Sequence, residues 1–303
     1  MSDDQRRRPF DESTARSALS TAAEKCGVPY RPAVLISPVA DNALFRLPDN
    51  VVGRVSSTDR TLARAARDVQ IGRWLNNKGF PAVAPVEGVV QPVVSQGRVV
   101  TFWHEVPDAV MASTRELGSL LHHLHSMAVP PDVDIEPLQP FVRIDAHLEA
   151  AAPHLADHDV AFLAQHLAEL HIAYDALDFD HPVGLIHGDA NRKNAVRGSD
   201  GRAVLLDLER FSVGPRQWDL TVSEVYRRLG WYTEAEYDDF VDAYGWDVRG
   251  WDGLPILVAI REFRMTAWLA SRVGREPALR SEAEKRIASL RAPDARRTWT
   301  PGD

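Results

Sequence analysis

One cysteine, Cys26, stands among 303 residues, which excludes an intrachain disulfide and a cysteine-based zinc site. Long apolar runs are missing as well. The longest, Ile256 to Ile260, falls far short of the roughly 20 residues that span a bilayer. The opening segment, MSDDQRRRPF, holds no apolar stretch of signal-peptide length. These absences point to a soluble, cytosolic chain with no membrane partner. Basic charge is in short supply: 35 Lys and Arg face 43 Asp and Glu, for a net charge of −8. Nucleic acid and anionic membranes are therefore disfavoured as main partners. The basic run Arg6-Arg7-Arg8 sits beside Asp3 and Asp4 and reads as a solvated tail. No internal repeat or low-complexity segment appears. What remains is an ordinary globular composition, 45% hydrophobic and 26% charged, long enough for one large domain or two medium ones.

The first hundred residues read as strand-rich with one helix. Val34 to Ile36, Ala43 to Leu47 and Val51 to Val55 are short β-prone runs, and Pro48-Asp49-Asn50 supplies turn chemistry for a hairpin. Residues 58–78 lack proline and are rich in Ala, Arg and Leu, so a helix starts near Thr58 or Asp59 and stops at Gly79. Two more strands, Val89 to Val94 and Val99 to Val106, flank a turn at Ser95-Gln96-Gly97. Pro92 makes the first an edge strand, because proline has no N–H to give a ladder. From residue 113 the period becomes helical. Ser113 and Glu116 form a capping box, and Leu117, Leu120, Leu121 and Leu124 recur on one face. Leu163, Leu167, Leu170, Tyr174 and Leu177 mark a second amphipathic helix, and the chain beyond residue 220 reads helical. The predicted fold class is α+β, with a small β-rich lobe at 1–106 and a larger, mostly helical lobe at 107–303.

The densest chemistry lies in LIHGDANRKNAVRGSDGRAVLLDLERFSVGPRQWDL, from Leu185 to Leu220. A His-Gly-Asp turn ends in Asp189, and Asn194 follows five positions later. Gly198-Ser199-Asp200-Gly201 then turns the chain into the strand Ala203 to Leu206, which delivers Asp207. Phosphoryl transfer needs a carboxylate to accept or orient the attacking hydroxyl. It also needs an amide and a carboxylate oxygen to hold magnesium against the phosphates. Asp189, Asn194 and Asp207 supply these three groups, and a hairpin would bring them together.

This segment resembles the phosphotransferase motif of the aminoglycoside phosphotransferase family, a branch of the protein-kinase-like fold that includes choline and other small-molecule kinases. Leu206-Asp207-Leu208-Glu209, Gly214-Pro215 and Trp218-Asp219-Leu220 are similar to the family's metal-binding strand and following turn. Asn42 before Ala43 to Leu47 resembles its phosphate-covering hairpin, and Val51 to Val55 the strand that presents a basic residue. The resemblance implies a bilobal kinase-like enzyme that moves the γ-phosphoryl group of ATP or GTP to a hydroxyl of a small molecule, with Mg2+. It makes Asp189 the catalytic aspartate, Asn194 and Asp207 the metal ligands, and Arg54 the phosphate-binding cation, paired with Asp68. Backbone groups at His104, Glu105 and Val106 would bind adenine. His187 and Asp219 would brace the loop. Two departures stand out. Ser37 to Leu47 contains no glycine, so Ser37 or Asn42 and backbone N–H groups must cover the phosphates. The basic residue is also arginine, whose planar fork differs from a lysine's point charge.

Between Arg216 and Glu262, ten acids face five arginines, among many aromatics. An acidic, aromatic wall suits a cationic or sugar-like acceptor, with Glu224, Asp242 and Glu262 as candidates. Other readings are a metabolic kinase for an amino alcohol, amino acid or sugar, and a non-catalytic nucleotide-binding protein. A third is a zinc hydrolase that uses His122, His123 and His125 or the pair His154 and His158; these read better as surface or packed histidines, since no third ligand is placed beside the pair. The acceptor's identity and the oligomeric state are not legible.

Overall fold

A computed structural model describes residues 10–37, 39, 42–57, 62–292 and 297–301. The backbone divides into two compact units. One is strand-rich and comprises Met1–Ala112, Pro130–Ile135 and Arg192–Phe211; the other is helical and comprises Ser113–Val129, Glu136–Asn191 and Ser212–Asp303.

In the strand-rich unit, alternating burial along Asn42–Leu47 places Ala43, Phe45 and Leu47 on a core face. This strand forms a hairpin with Val51–Ser56, in register from Asn42 opposite Ser56 to Leu47 opposite Val51. At the turn, Asp49 (φ 59°) and Asn50 (φ 54°) adopt the left-handed conformation, which these two residue types tolerate well. Val34–Leu35 and Arg98–His104 flank the hairpin, and Val93–Ser95 closes a five-stranded antiparallel sheet. Val93–Ser95 is at the sheet edge as expected, but it is shorter than the anticipated Val89 to Val94 and begins only after Pro92, which has no N–H to give a ladder.

A second helix joins the one expected in this region. Glu12–Cys26 opens on a capping box between Asp11 and Thr14 and ends at Gly27 (φ 67°). It buries Ala15, Ala18, Leu19, Ala22 and Ala23 against the sheet core of Phe45, Val55, Val100 and Phe102. Its face of small residues lets the helix approach closely. A Cβ on Gly53 would stand 2.5 Å from Leu19 Cδ1. Leu62–Asn77 is the expected helix; its anticipated start at Thr58 or Asp59 lies outside the described residues. A small three-stranded sheet, in the order Val110–Met111, Ala195–Arg197, Ala203–Leu205, contains the expected hairpin after the His-Gly-Asp motif.

In the helical unit, Thr114–Ser126 begins with the expected Ser113–Glu116 capping box and buries Leu117, Leu120, Leu121 and Leu124. Leu254–Arg272 is the central element, packed against Ile144–Ala151, Asp157–Asp175, Gln217–Arg228 and Arg280–Leu290. A two-stranded ribbon pairs Gly184–Ile186 with Ser212–Gly214. Among the described residues, no helix is long and apolar enough to cross a membrane.

Candidate active site

The strand Gly184–Ile186 runs directly into His187-Gly188-Asp189, where Gly188 (φ 83°) provides the sharp turn. Asp219 holds this turn. It is fully buried in the first turn of helix Gln217–Arg228, where the helix dipole favours a negative charge. Its Oδ2 accepts the His187 N–H at 2.7 Å and its Oδ1 accepts the Gly188 N–H at 2.8 Å. His125 Nε2 stands 3.2 Å from Oδ2, and the His125 Nδ1 is 2.9 Å from the Tyr244 hydroxyl. Trp218 Nε1 donates to the Gly188 carbonyl at 3.1 Å. His187 is buried, and its Nδ1 accepts the Asp189 N–H at 3.3 Å. Both residues thus have the bracing geometry expected of them.

The Asp189 carboxylate meets Arg261, from helix Leu254–Arg272, with Oδ1 2.8 Å from Nη2. Burial alone would raise the Asp189 carboxyl. The Arg261 guanidinium outweighs it together with His187 and Arg264, and the carboxyl lies below its ordinary value. Arg261 is hydrogen-bonded also to Tyr226, whose phenol burial pushes upward.

A cavity of about 460 Å³ opens within the strand-rich unit. Ile36, Leu44, Val52, Val83, Val196 and Leu206 give it apolar walls, a slot suited to a flat aromatic base. Asn42, Arg54, Asp68, Lys193, Asn194 and Asp207 make its polar part. His104, Glu105 and Val106 line it too, but two of their N–H groups are already engaged. His104 donates to the Ala84 carbonyl at 2.8 Å and Glu105 to the Asn50 carbonyl at 2.7 Å. Ser37 is half-buried and lies outside this lining.

Asn194 and Asp207 meet because the hairpin pairs Ala195 with Leu205, and the Leu206 N–H donates to the Asn194 carbonyl at 2.8 Å. Asp207 has φ 54° and ψ 73°, a left-handed backbone at the end of its strand. Such a conformation costs energy in any non-glycine residue and is typical of functional turns. Its carboxylate is partly exposed in the cavity. A carboxylate and an amide oxygen on one wall are hard donors of the kind magnesium takes, with phosphate oxygens completing the shell.

Arg54 pairs differently from the sequence expectation. Its Nη2 lies 2.5 Å from Glu209 Oε2 and its Nη1 3.9 Å from Asp207 Oδ1. Glu209 takes the place expected for Asp68, whose side chain is one methylene shorter and is buried on helix Leu62–Asn77.

Of the three candidates for an acidic acceptor wall, the two buried ones are held by arginines. Glu224 is buried and held by Arg227 at 2.8 Å; Glu262 is buried and held by Arg297 at 2.9 Å. Asp242 is exposed, 3.6 Å from Arg115. The histidines are surface or partly packed: His122 Nδ1 bonds the Tyr244 carbonyl and His154 packs on Gly274, while His123 and His158 are exposed. Among the described residues, no group of three His, Cys, Asp or Glu is placed to hold a metal ion.

Lys193 and Arg261 escaped the sequence reading, which quoted Glu209 only as part of the Asp207 motif. Lys193 sits inside the motif, one position before Asn194, and its place there was a usable signal. Glu209 follows Asp207 by two. Arg261 had no local signal at all.

Residues 34–257 match the model of a family described as the phosphotransferase enzyme family. No curated protein matches the chain in sequence. Among solved structures, a choline/ethanolamine kinase family protein from Mesorhizobium loti is 19% identical, with a TM-score of 0.62, over 92% of this chain and 93% of that one. An amicoumacin kinase in complex with AMP-PNP, Ca2+ and Ami is 13% identical with a TM-score of 0.73, over 95% and 98%. An aminoglycoside phosphotransferase in complex with GDP and kanamycin is 15% identical with a TM-score of 0.62, over 91% and 99%. The fold is therefore the α+β, kinase-like one.

Proposed function

Because the chain belongs to the phosphotransferase enzyme family, we propose that it moves the γ-phosphoryl group of ATP or GTP to a hydroxyl of a small molecule. The observation that carries this reading is a cavity that joins an apolar slot to Arg54, Lys193, Asn194 and Asp207. The base would occupy the slot and meet the Val106 N–H, since those of His104 and Glu105 are engaged. Arg54 and Lys193 would bind phosphate oxygens, and Asn194 and Asp207 would hold Mg2+. The metal, when bound, neutralises phosphate charge and aligns the γ-phosphorus.

Asp189 lies five residues before Asn194 in the chain, and we assign it the acceptor hydroxyl. The acceptor oxygen forms its bond to the γ-phosphorus as the bond to the β–γ bridging oxygen breaks. The nucleoside diphosphate leaves, and the hydroxyl proton passes to Asp189 and then to solvent. Asp219 keeps Asp189 in place through the two N–H groups ahead of it. The similar proteins are named for choline and ethanolamine or for amicoumacin, and one is complexed with kanamycin. That range supports a small acceptor and leaves its identity to the chain's own side chains.

The test is Asp189→Ala, assayed with labelled ATP on a panel of hydroxyl compounds. Turnover is expected to fall by orders of magnitude, with nucleotide binding retained. Wild-type turnover in the purified variant removes the mechanism. A non-catalytic nucleotide-binding protein would instead bind MgATP and phosphorylate nothing on the panel.

A further inference from the structure

Residues 297–301 form a strap along helix Arg280–Leu290, with Arg297 and Trp299 buried like core residues. Lys285 donates to the Thr298 carbonyl at 2.9 Å, Trp299 Nε1 to the Ser289 hydroxyl at 2.8 Å, and Arg286 to the Thr300 carbonyl at 2.6 Å. From this strap two routes lead to the catalytic turn. The first runs through helix Leu254–Arg272. Arg297 grips Glu262 Oε2 with Nη2 at 2.9 Å and Nε at 3.1 Å, both side chains being buried. Glu262 follows Arg261 directly, and successive helical side chains point about 100° apart. The buried pair therefore fixes the rotation of the helix that aims Arg261 at Asp189. The second runs through the loop after helix Gln217–Arg228. Trp231 Nε1 donates to the Trp299 carbonyl at 3.1 Å, and its ring meets Tyr226 edge to face with centroids 5.0 Å apart. Tyr226 in turn is hydrogen-bonded to Arg261.

We infer that the 297–301 strap, Trp231 and Tyr226 are positioning groups for phosphoryl transfer, which hold Arg261 against Asp189 and so set the placement of the catalytic carboxylate. This rests on the role proposed above for Asp189. They act through Arg261 and not on the substrate. An arginine side chain has several rotatable bonds, and it orients a carboxylate only where that freedom is already restricted. Of the groups that act on the Asp189 carboxyl, His187 lies in the same turn and Arg264 bonds the Pro140 carbonyl, whereas Arg261 is reached by both routes.

The experiment removes single donors, so that the fold stays intact. With isotope-labelled aspartate in the full chain, the Asp189 carboxyl signal is identified by NMR through its loss in Asp189→Asn and followed through a pH titration. Trp231→Phe keeps the ring on Tyr226 and removes the donor to Trp299; Tyr226→Phe removes the hydroxyl bonded to Arg261. Each should move the Asp189 titration upward, because a loosened guanidinium favours the carboxylate less. Neither should move it further in an Arg261→Gln background. Arg297→Gln should act in the same direction through Glu262, and Arg297→Lys, which keeps the charge, should restore it. With labelled ATP and the panel compound that the wild type phosphorylates, kcat should fall about tenfold in Tyr226→Phe, with KM for MgATP unchanged. An unmoved titration in Trp231→Phe and Tyr226→Phe means that the strap only stabilises the fold, and overturns the inference. A shift of equal size with Arg261→Gln present overturns it too, because the effect then bypasses Arg261. So does wild-type kcat in both variants. Wild-type turnover in Asp189→Ala, or no product on the panel, is the failure of the phosphotransfer reading itself, and the inference falls with it whatever the titration shows.

Discussion

Asp219→Asn is a nearly isosteric change whose cost follows from the hydrogen bonds it breaks. The native carboxylate accepts two backbone N–H groups, those of His187 and Gly188, through different oxygens at 2.7 and 2.8 Å, in a fully buried site. An asparagine has one acceptor oxygen and one amide nitrogen. Whichever way it is flipped, one N–H loses its acceptor and faces another donor. Leaving a buried N–H unpaired, together with losing charge assistance on the other bond, costs about 2–3 kcal/mol. At about 2–4 °C per kcal/mol for units of this size, the unfolding midpoint should fall by about 4–12 °C. The freed N–H belongs to the turn that carries Asp189, so the catalytic carboxylate should drift. A misplacement of about 1 Å lowers kcat about 100-fold. Calorimetry and steady-state kinetics measure the two effects, and hydrogen exchange at His187 and Gly188 should report lost protection. Wild-type unfolding with unchanged kcat would refute the claim that Asp219 organises the loop.

Asp207→Ala should abolish Mg2+-dependent nucleotide binding, measured by calorimetry with and without a chelator; a variant that binds MgATP normally contradicts the metal role given to Asp207. Because Arg261 holds Asp189 below its ordinary range, any acid limb in kcat/KM due to Asp189 should lie below the usual aspartate range, and Arg261→Gln should move it upward. The same depression contributes stability above the unfolded-state pKa that is lost as pH falls through the folded value, so Arg261→Gln should flatten the acid side of the stability profile; identical profiles for both proteins count against the pairing. Leu19→Ala should cost about 2–5 kcal/mol, and Gly53→Ala about 1–3 kcal/mol through its contact with Leu19. Combining the two should cost less than the sum, because the new methyl enters the space left by the leucine; strict additivity in chemical denaturation would show that they do not touch.

What was legible in the sequence, and what was not, divides by the range over which each feature is decided. The sheet hairpin and the Ser113–Glu116 cap depend on residues a few positions apart and formed as read; the edge strand formed too, but over Val93–Ser95 rather than Val89 to Val94. The meeting of Asn194 with Asp207 is equally local, since a four-residue turn cluster determines the register. Helix Glu12–Cys26 was harder because its buried face is mostly alanine, which gives almost no hydrophobic contrast, while its value lies in close approach to a strand glycine. The pairing of Arg54 was decided between Asp68 and Glu209, the latter 155 residues away, and only the folded sheet could rank them by reach. The acidic stretch before Glu262 shows the limit most clearly. Counting ten acids against five arginines measures composition, but the field at a buried site depends on which charges are already paired. Glu224 is paired with Arg227, Glu262 with Arg297 and Asp189 with Arg261, so a region that is acidic on paper has its buried carboxylates matched by arginines.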